Sequence, residues 1–575
     1  MLSKLKKIFQ ALSKRERLVF AVFLLIFLVG LLFSTIDFIG QNSVSSPIEG
    51  GEFTEGIISQ PIFINPVLAN SDADRDLVEL LFEDVLDLAE NYSGRYARYI
   101  EHSAHYSQGY MEAPLPYKFE EGGKVVRIRL KDNLFWSDGK PLTSDDIIFT
   151  IKTIQDPDTR SLLFNGFKGI VPFRVSEREL TLTLPVPYAF FESTLKDLRP
   201  IPKHLFADIP ATNLKLSNYN LEPVGSGPFK YLSYKKQKDG FIISYQFIQN
   251  KYAVKKPYLK KLNINFYPNE ESAKNAFDKG EIDGLAGLSP KNLKEIIVPH
   301  QEFTLWLPRY YTVFLNQNAN DALKDKNVRT ALNYATDRKK IIDTVLNGQA
   351  IEVFGPLTPA MGGYDATLAE KNFFSLEKAN EVLEQNGWYL NEGDVREKTE
   401  KKSKKSLEFN LAIPENPLFI QTADILKEDW QKIGIKLNII TMASLDEPIK
   451  NRDYQMILFG NIFGRNLDLF SFWHSSERFY PGLNLSLYEN KTVDALIEKI
   501  RKNFDEESRL IDYKNIQTII NDDVPAIFLF SRNYTYIVNN QLKGFEEKNI
   551  PVPSARFENV NKWYLKTIKV FKKNI

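Results

Sequence analysis

Alternating apolar positions and apolar positions three to four apart divide most of this chain into short strands and helices. Leu407, Phe409, Leu411 and Ile413 alternate as in a half-buried strand. Phe419, Ala423, Leu426, Trp430 and Ile433 follow at helical spacing, Gly434 stops the helix, and Ile435, Leu437 and Ile439 alternate again. This predicts a β-α-β unit, a parallel pair joined by a right-handed crossover. A second apolar face, made of Val328, Ala331, Leu332, Ala335, Ile342, Val345 and Leu346, predicts one helix from Val328 to Asn347. Asp325 can cap its start and Asn347-Gly348 its end. Val125 to Leu130 alternates as a strand. Thr143-Ser144-Asp145-Asp146 has the form of a capping box opening a helix from Ile147 to Ile154. Ala273, Ala276 and Phe277 fit a short helix ended by Gly280, with a strand-like run from Ile282 to Leu285. The charged run Arg396 to Lys405 reads as an exposed hairpin tip. The whole is a mixed α/β protein without a fixed-period repeat.

The N-terminus follows another pattern. Lys4, Lys6, Lys7, Lys14, Arg15 and Arg17 precede an uncharged run from Leu18 to Ile36. At about 1.5 Å per residue, such a run can cross a hydrocarbon core about 30 Å thick. A secretory core is shorter, and Phe33 to Asp37 offers no small-residue cleavage pattern. The run is therefore expected to be a retained anchor, with its basic flank in the cytoplasm and the remainder of the chain outside. Gln41 to Gly51 contains Ser, Pro and Gly without periodicity and reads as a tether.

Composition changes the picture mainly by exclusion. A chain of 575 residues with 43% apolar residues can form several cores, and 26 Tyr and 41 Phe belong mostly to them. The formal net charge of +1 gives no reason to expect a nucleic-acid partner. The absence of cysteine removes disulfides, thiolate catalysis and cysteine-ligated zinc. The sequence holds no G-x-x-x-x-G-K-[ST], H-E-x-x-H or G-x-S-x-G motif, so no enzyme activity and no cofactor is expected. His102 and His105 are close in sequence. A metal needs about three or four ligands, and no third partner is evident, so the pair reads as solvent-exposed.

Several blocks, in order, resemble the peptide/nickel-type family 5 solute-binding proteins of ABC transporters. Lys131 to Asp146, with Trp136-Ser137-Asp138-Gly139 and Pro141-Leu142-Thr143, resembles that family's signature. Asp138-Gly139 suits a tight turn and Thr143 a helix cap, so the signature is itself scaffold. Pro61 to Pro66, Gly225 to Phe229, Lys279 to Asp283, Val328 to Arg338, Asn386 to Trp388 and Asp523 to Pro525 match further blocks. The resemblance implies a class II two-lobed periplasmic-binding-protein-like α/β fold with an extra small domain, preceded by one transmembrane helix. It divides the chain into a basic segment 1–17, an anchor 18–39, a linker 40–51, a discontinuous first lobe (52–87, 200–310 and 525–575), a small domain 88–199 and a second lobe 311–524.

By the same resemblance, residues 459–472 form the ligand loop, with Phe459, Gly460, Asn461, Arg465 and Asp468 as candidate ligand contacts. Trp473 and Tyr311 become candidate cleft residues. Asp468 matches an aspartate that in the family often faces a ligand's amino terminus, but Leu469 replaces the proline that usually follows. Arg465 suits a carboxylate or phosphate. The competing local reading has Asp468 capping a helix from Phe470 with Arg465 on the surface, and Trp473 and Tyr311 in ordinary packing. Arg329, Asp337 and Arg338 read as helix-surface residues. The implied function is an extracytoplasmic, membrane-anchored receptor that delivers peptides or peptide-like solutes to an ABC permease with cytoplasmic ATPases. An anchored sensor or adhesin, or a surface hydrolase, is the alternative.

Overall fold

A computed structural model of the chain describes residues 13–92, 97–98, 111–112, 115–400 and 403–571. His102 and His105 lie outside them. The apolar run forms one helix, Lys14–Asn42, opened by a capping box between Ser13 and Glu16. It is long and apolar enough to cross a membrane and buries none of its residues against the protein. The helix extends beyond the expected span and runs into a strand, Ser43–Ile48, antiparallel to Lys566–Phe571. The expected tether is thus partly a strand. Pro47 is tolerated because each member of a two-stranded sheet is an edge.

Two large sheets carry the rest. In spatial order the first contains His300–Leu305, Tyr534–Asn539, Gly284–Ala286, Glu52–Ile58, Lys261–Tyr267, Ile242–Gln249 and Phe229–Lys236. The second contains Ala350–Glu352, Ala526–Arg532, Arg309–Leu315, Met456–Ile462, Glu408–Pro414 and Lys436–Met442. The chain crosses between them twice, at 306–308 and at Asn533. Ala526–Arg532 pairs with Arg309–Leu315 and so lies in the second lobe, whereas the expected division placed 525–575 in the first. That strand is apolar on both faces, which leaves no periodicity to announce its sheet.

The β-α-β unit forms as its spacing predicts. Glu408–Pro414 and Lys436–Met442 are parallel, with the helix Pro417–Gln431 between them. Gly434 has φ +75°, and a Cβ there would strike Leu390 and Arg396, so glycine is required. The predicted long helix is instead two, Lys326–Tyr334 and Arg338–Val345. Asp337 caps the second by accepting from Lys340 N, and buried Thr336 at the break accepts from Trp430 Nε1. Arg329 and Arg338 are buried, not on the surface. Arg329 donates to the carbonyls of Val524 and Asp523, and Arg338 to that of Phe528.

A small sheet of Lys118–Glu120, Val125–Arg129, Glu179–Thr183 and Val171–Ser176 carries the helix Ser144–Gln155 and shares the first lobe's core. Thr143 and Asp146 form the expected capping box. The signature turn is scaffold: Gly139 N donates to Trp136 O at φ +89°, and Ser137 N donates to Gly225 O. The expected hairpin forms from Arg396–Glu400 and Ser403–Ser406. Arg396 nevertheless points inward and donates to the Ile433 and Trp388 carbonyls.

Candidate ligand cleft and the contacts that close it

The expected ligand loop begins on the strand Met456–Ile462. On one side this strand pairs with Arg309–Leu315, setting Tyr311 opposite Gly460 and Arg309 opposite Ile462. On the other side it pairs in parallel with Glu408–Pro414 only at Met456 and Ile457. Among the described residues, the edge from Leu458 to Ile462 therefore has no strand partner on that side. Gly460 and Phe459 are half-buried and Ile462 is exposed. Tyr311 stacks on Phe530 at 5.1 Å between centroids and meets Phe419 edge-on at 5.8 Å. With no side chain at Gly460, the backbone beside Tyr311 remains accessible, since even a Cβ would sit 3.3 Å from that ring.

Two predicted contact residues are tied into the core. Asn461 donates from Nδ2 to the Tyr310 hydroxyl at 3.0 Å, and Trp473 donates to the same oxygen at 3.2 Å. Trp473 is wholly buried and packs against Phe528 and Phe314. In this conformation Trp473 is a packing residue and not a cleft wall.

Arg465 and Asp468 do something else: they join the lobes. Arg465 donates from Nε to Asp197 at 3.1 Å and from Nη1 to Glu558 at 3.1 Å, with Glu79 at 3.7 Å from Nη2. Its side chain is only 10% exposed, which replaces the surface placement that local reading allowed. The acceptors come from three parts of the first lobe and small domain. Glu79 is on the helix Asp72–Leu81, Asp197 on the helix Phe191–Asp197, and Glu558 near the C-terminus. Glu79 also pairs with Arg199, and Lys196 bridges Asp84 and Glu558 at 3.2 Å each.

The charge arithmetic explains why an arginine is needed. Among the described residues, the ion pairs of Glu79, Asp84, Asp197 and Glu558 within their own half are with Lys196 and Arg199, so the cluster carries an excess of acid until Arg465 docks. Burial opposes the Arg465 charge, but Glu558, Glu79 and Asp197 outweigh it and hold its pKa above the ordinary value. Burial likewise opposes the Glu558 carboxylate, yet Arg465 and Lys196 bring its pKa down to about 2. Glu79, more deeply buried, is shifted upward by that burial. Asp197 is half-exposed and contributes least.

Asp468 has two roles. Its Oδ1 accepts from Phe470 N at 3.0 Å, a local turn just ahead of the helix Phe470–Trp473, whose N-cap is Leu469 and not Asp468 as the local reading had it. Its Oδ2 accepts from the Tyr188 hydroxyl at 2.9 Å and lies 3.0 Å from Arg501 Nε. Arg501 spreads over the rings of Phe470 and Tyr188. Burial and then the Asp468 charge push the Tyr188 phenol upward, so it stays a donor. Ser193 Oγ donates to Arg465 O, Ala189 N donates to Arg501 O, and Phe119 meets Phe504 at 4.8 Å. The small domain thus supplies much of the closing surface. None of Tyr188, Ser193, Asp197, Glu79, Glu558 or Arg501 was singled out from sequence. Glu79, Asp197, Glu558 and Arg501 carry one sequence cue, a charge opposite in sign to Arg465 or Asp468, and Tyr188 and Ser193 carry none.

Residues 85–478 match the family model described as bacterial extracellular solute-binding proteins, family 5 Middle. The chain is 25% identical over 538 residues to the oligopeptide-binding protein AppA of Bacillus subtilis, covering 91% of this chain and 93% of that one. It is 27% identical over 432 residues to the nickel-binding periplasmic protein of Escherichia coli, covering 71% and 78%. The solved ABC transporter substrate binding protein CtaP of Listeria monocytogenes superposes with a TM-score of 0.72 at 25% identity, covering 90% and 99%. AppA of Bacillus subtilis in complex with a nonapeptide superposes with a TM-score of 0.66 at 23% identity, covering 91% and 100%.

Proposed function

The chain belongs to the family 5 bacterial extracellular solute-binding proteins, and from that premise we propose that it binds a linear, peptide-like solute between its lobes for an ABC importer. The observation that carries this is the open edge of Leu458 to Ile462. A strand edge offers alternating N–H and C=O groups that an extended amide backbone satisfies without regard to its side chains. Tyr311 beside Gly460 supplies a rigid apolar surface for one solute side chain.

In this reading the Arg465 and Asp468 contacts act on closure and not on the solute's charge. Both groups already have partners inside the protein, so a solute of either sign gains from the same latch. Solute and latch together favour the closed arrangement, which a membrane permease with its own ATPases recognises. The helix Lys14–Asn42 holds the receptor at the membrane. The chain binds its solute without chemical change.

Titration calorimetry on the full chain in detergent, with a pool of linear tri- to hexapeptides, tests this. Saturable binding with affinity of about 10 μM or tighter is expected, and Gly460→Val should weaken it about tenfold or more by crowding Tyr311. Absence of binding to any pool, with the fold intact, would refute the peptide-like reading.

A further inference from the structure

Partly or fully buried arginines in this protein are generally matched to carboxylates. Arg127, Arg199, Arg465, Arg501 and Arg556 each sit against one or more. Arg329 and Arg338 are instead satisfied by carbonyls and an amide oxygen. Arg309 and Arg532 fit neither pattern. They occupy the two strand ends where the chain passes between lobes, Arg309 just after the first crossing and Arg532 just before the second.

The ladder brings them together. Tyr311 pairs with Phe530, and extending that antiparallel register two residues toward the neck sets Arg309 beside Arg532. Like charges in such cross-strand positions repel. Arg309 Nε is buried and has no hydrogen-bond partner among the described residues. Arg532 makes one long bond, from Nη2 to Leu288 O at 3.4 Å. Burial and then the Arg309 charge pull the Arg532 pKa below its ordinary value. The acid that acts on Arg532 is Glu270, but its Oε2 already accepts from Ser289 N and Asn292 Nδ2. The neck therefore holds two guanidinium groups near each other, next to Tyr311 and the open edge, and among the described residues neither forms an ion pair with a carboxylate, Glu270 acting on Arg532 without direct contact.

We propose that Arg309 and Arg532 form an anion subsite at the neck, which receives a carboxylate of the bound solute. A planar carboxylate offers two acceptor oxygens, enough for a fork from each guanidinium, and removes the repulsion between them. The assignment rests on the cleft being the solute site, and it narrows the solute class to those carrying a carboxylate that can reach the neck.

The test uses the full chain in detergent and two probes. The first is sodium succinate, read by the melting midpoint against sodium chloride of equal ionic strength. The second is a linear pentapeptide pool without acidic side chains, compared with the same pool amidated at the C-terminus. Succinate should raise the wild-type midpoint by about 2 °C or more and leave Arg309→Gln and Arg532→Gln unmoved. The free-acid pool should lose about tenfold or more in affinity in each variant, the amidated pool less than about threefold. Arg309→Lys should retain the preference for the free acid. Equal succinate shifts in wild type and variants, or equal losses for acid and amide, would overturn the subsite. If neither pool binds but succinate acts through the arginines, the subsite stands and the peptide reading fails. If both pools bind alike in wild type and variants, the peptide reading stands and the subsite fails.

Discussion

Arg465 Nη1 on the second lobe lies 3.1 Å from Glu558 Oε2 on the first, within a cluster that is acidic without it. Such a contact is a property of closure. When the lobes part, Arg465 regains water while Glu79, Asp197 and Glu558 keep Lys196 and Arg199 as their ion-pairing cations among the described residues.

Arg465→Met should therefore open the molecule without unfolding either lobe. Removing one partner of a buried charge cluster costs about 3–5 kcal/mol, here taken from the closed state. Small-angle scattering should show a larger radius of gyration than wild type. Asp468→Asn keeps an acceptor for Tyr188 and Phe470 but loses the charge opposite Arg501, which is one-third exposed. Its cost should be about 1 kcal/mol or less. An equal effect of both substitutions on the scattering profile would mean that the cluster does not control closure.

A second buried cluster predicts a pH dependence. Arg556 pairs with both Asp76 oxygens at 2.7 Å, so Glu55 is left with a longer contact at 3.4 Å and the Tyr536 hydroxyl at 2.9 Å. Burial raises the Glu55 pKa from its ordinary 4.5 to about 7. Below 4.5 the group is neutral whether the chain is folded or not. As pH rises through about 7 the folded chain must ionise it against burial, and stability on the order of 3 kcal/mol is lost. Glu55→Gln keeps an acceptor for Tyr536, so its melting midpoint should fall less than wild type between pH 5 and about 8. A variant that loses as much over that range would show that Glu55 is not the titrating group.

The local parts of the fold were legible in the sequence because their causes are local. Thr143 and Asp146 cap within three residues, and the 407–440 spacing defines its β-α-β unit. The long apolar face at 328–347 misled, because its period continues across a break that Asp337 and buried Thr336 impose. The resemblance led to the loop holding Arg465 and Asp468, but their partners were out of reach. Asp197 is 268 residues from Arg465, and Tyr188 is 280 from Asp468. Charge pairs at that separation leave no periodicity or spacing to read. The resemblance also pointed to the backbone of Phe459, Gly460 and Asn461, but the extent of the open edge from Leu458 to Ile462 depends on where a neighbouring strand stops pairing.

The N-terminal helix should be retained in the mature protein. It continues through Asn42 into a strand paired with Lys566–Phe571. N-terminal sequencing of the membrane fraction should begin within the first 17 residues. A mature start near residue 40 would identify a cleaved signal, and would still leave the Ser43–Ile48 strand intact.

The most direct measurement of the central claim, a peptide-like solute held between the two lobes, is mass spectrometry of what the full chain retains through purification and releases on unfolding. One linear amide-containing solute per chain, carrying at least one carboxylate and depleted in the Gly460→Val variant, is the expected result. A retained solute without amide bonds, or one that the variant holds equally well, would contradict it.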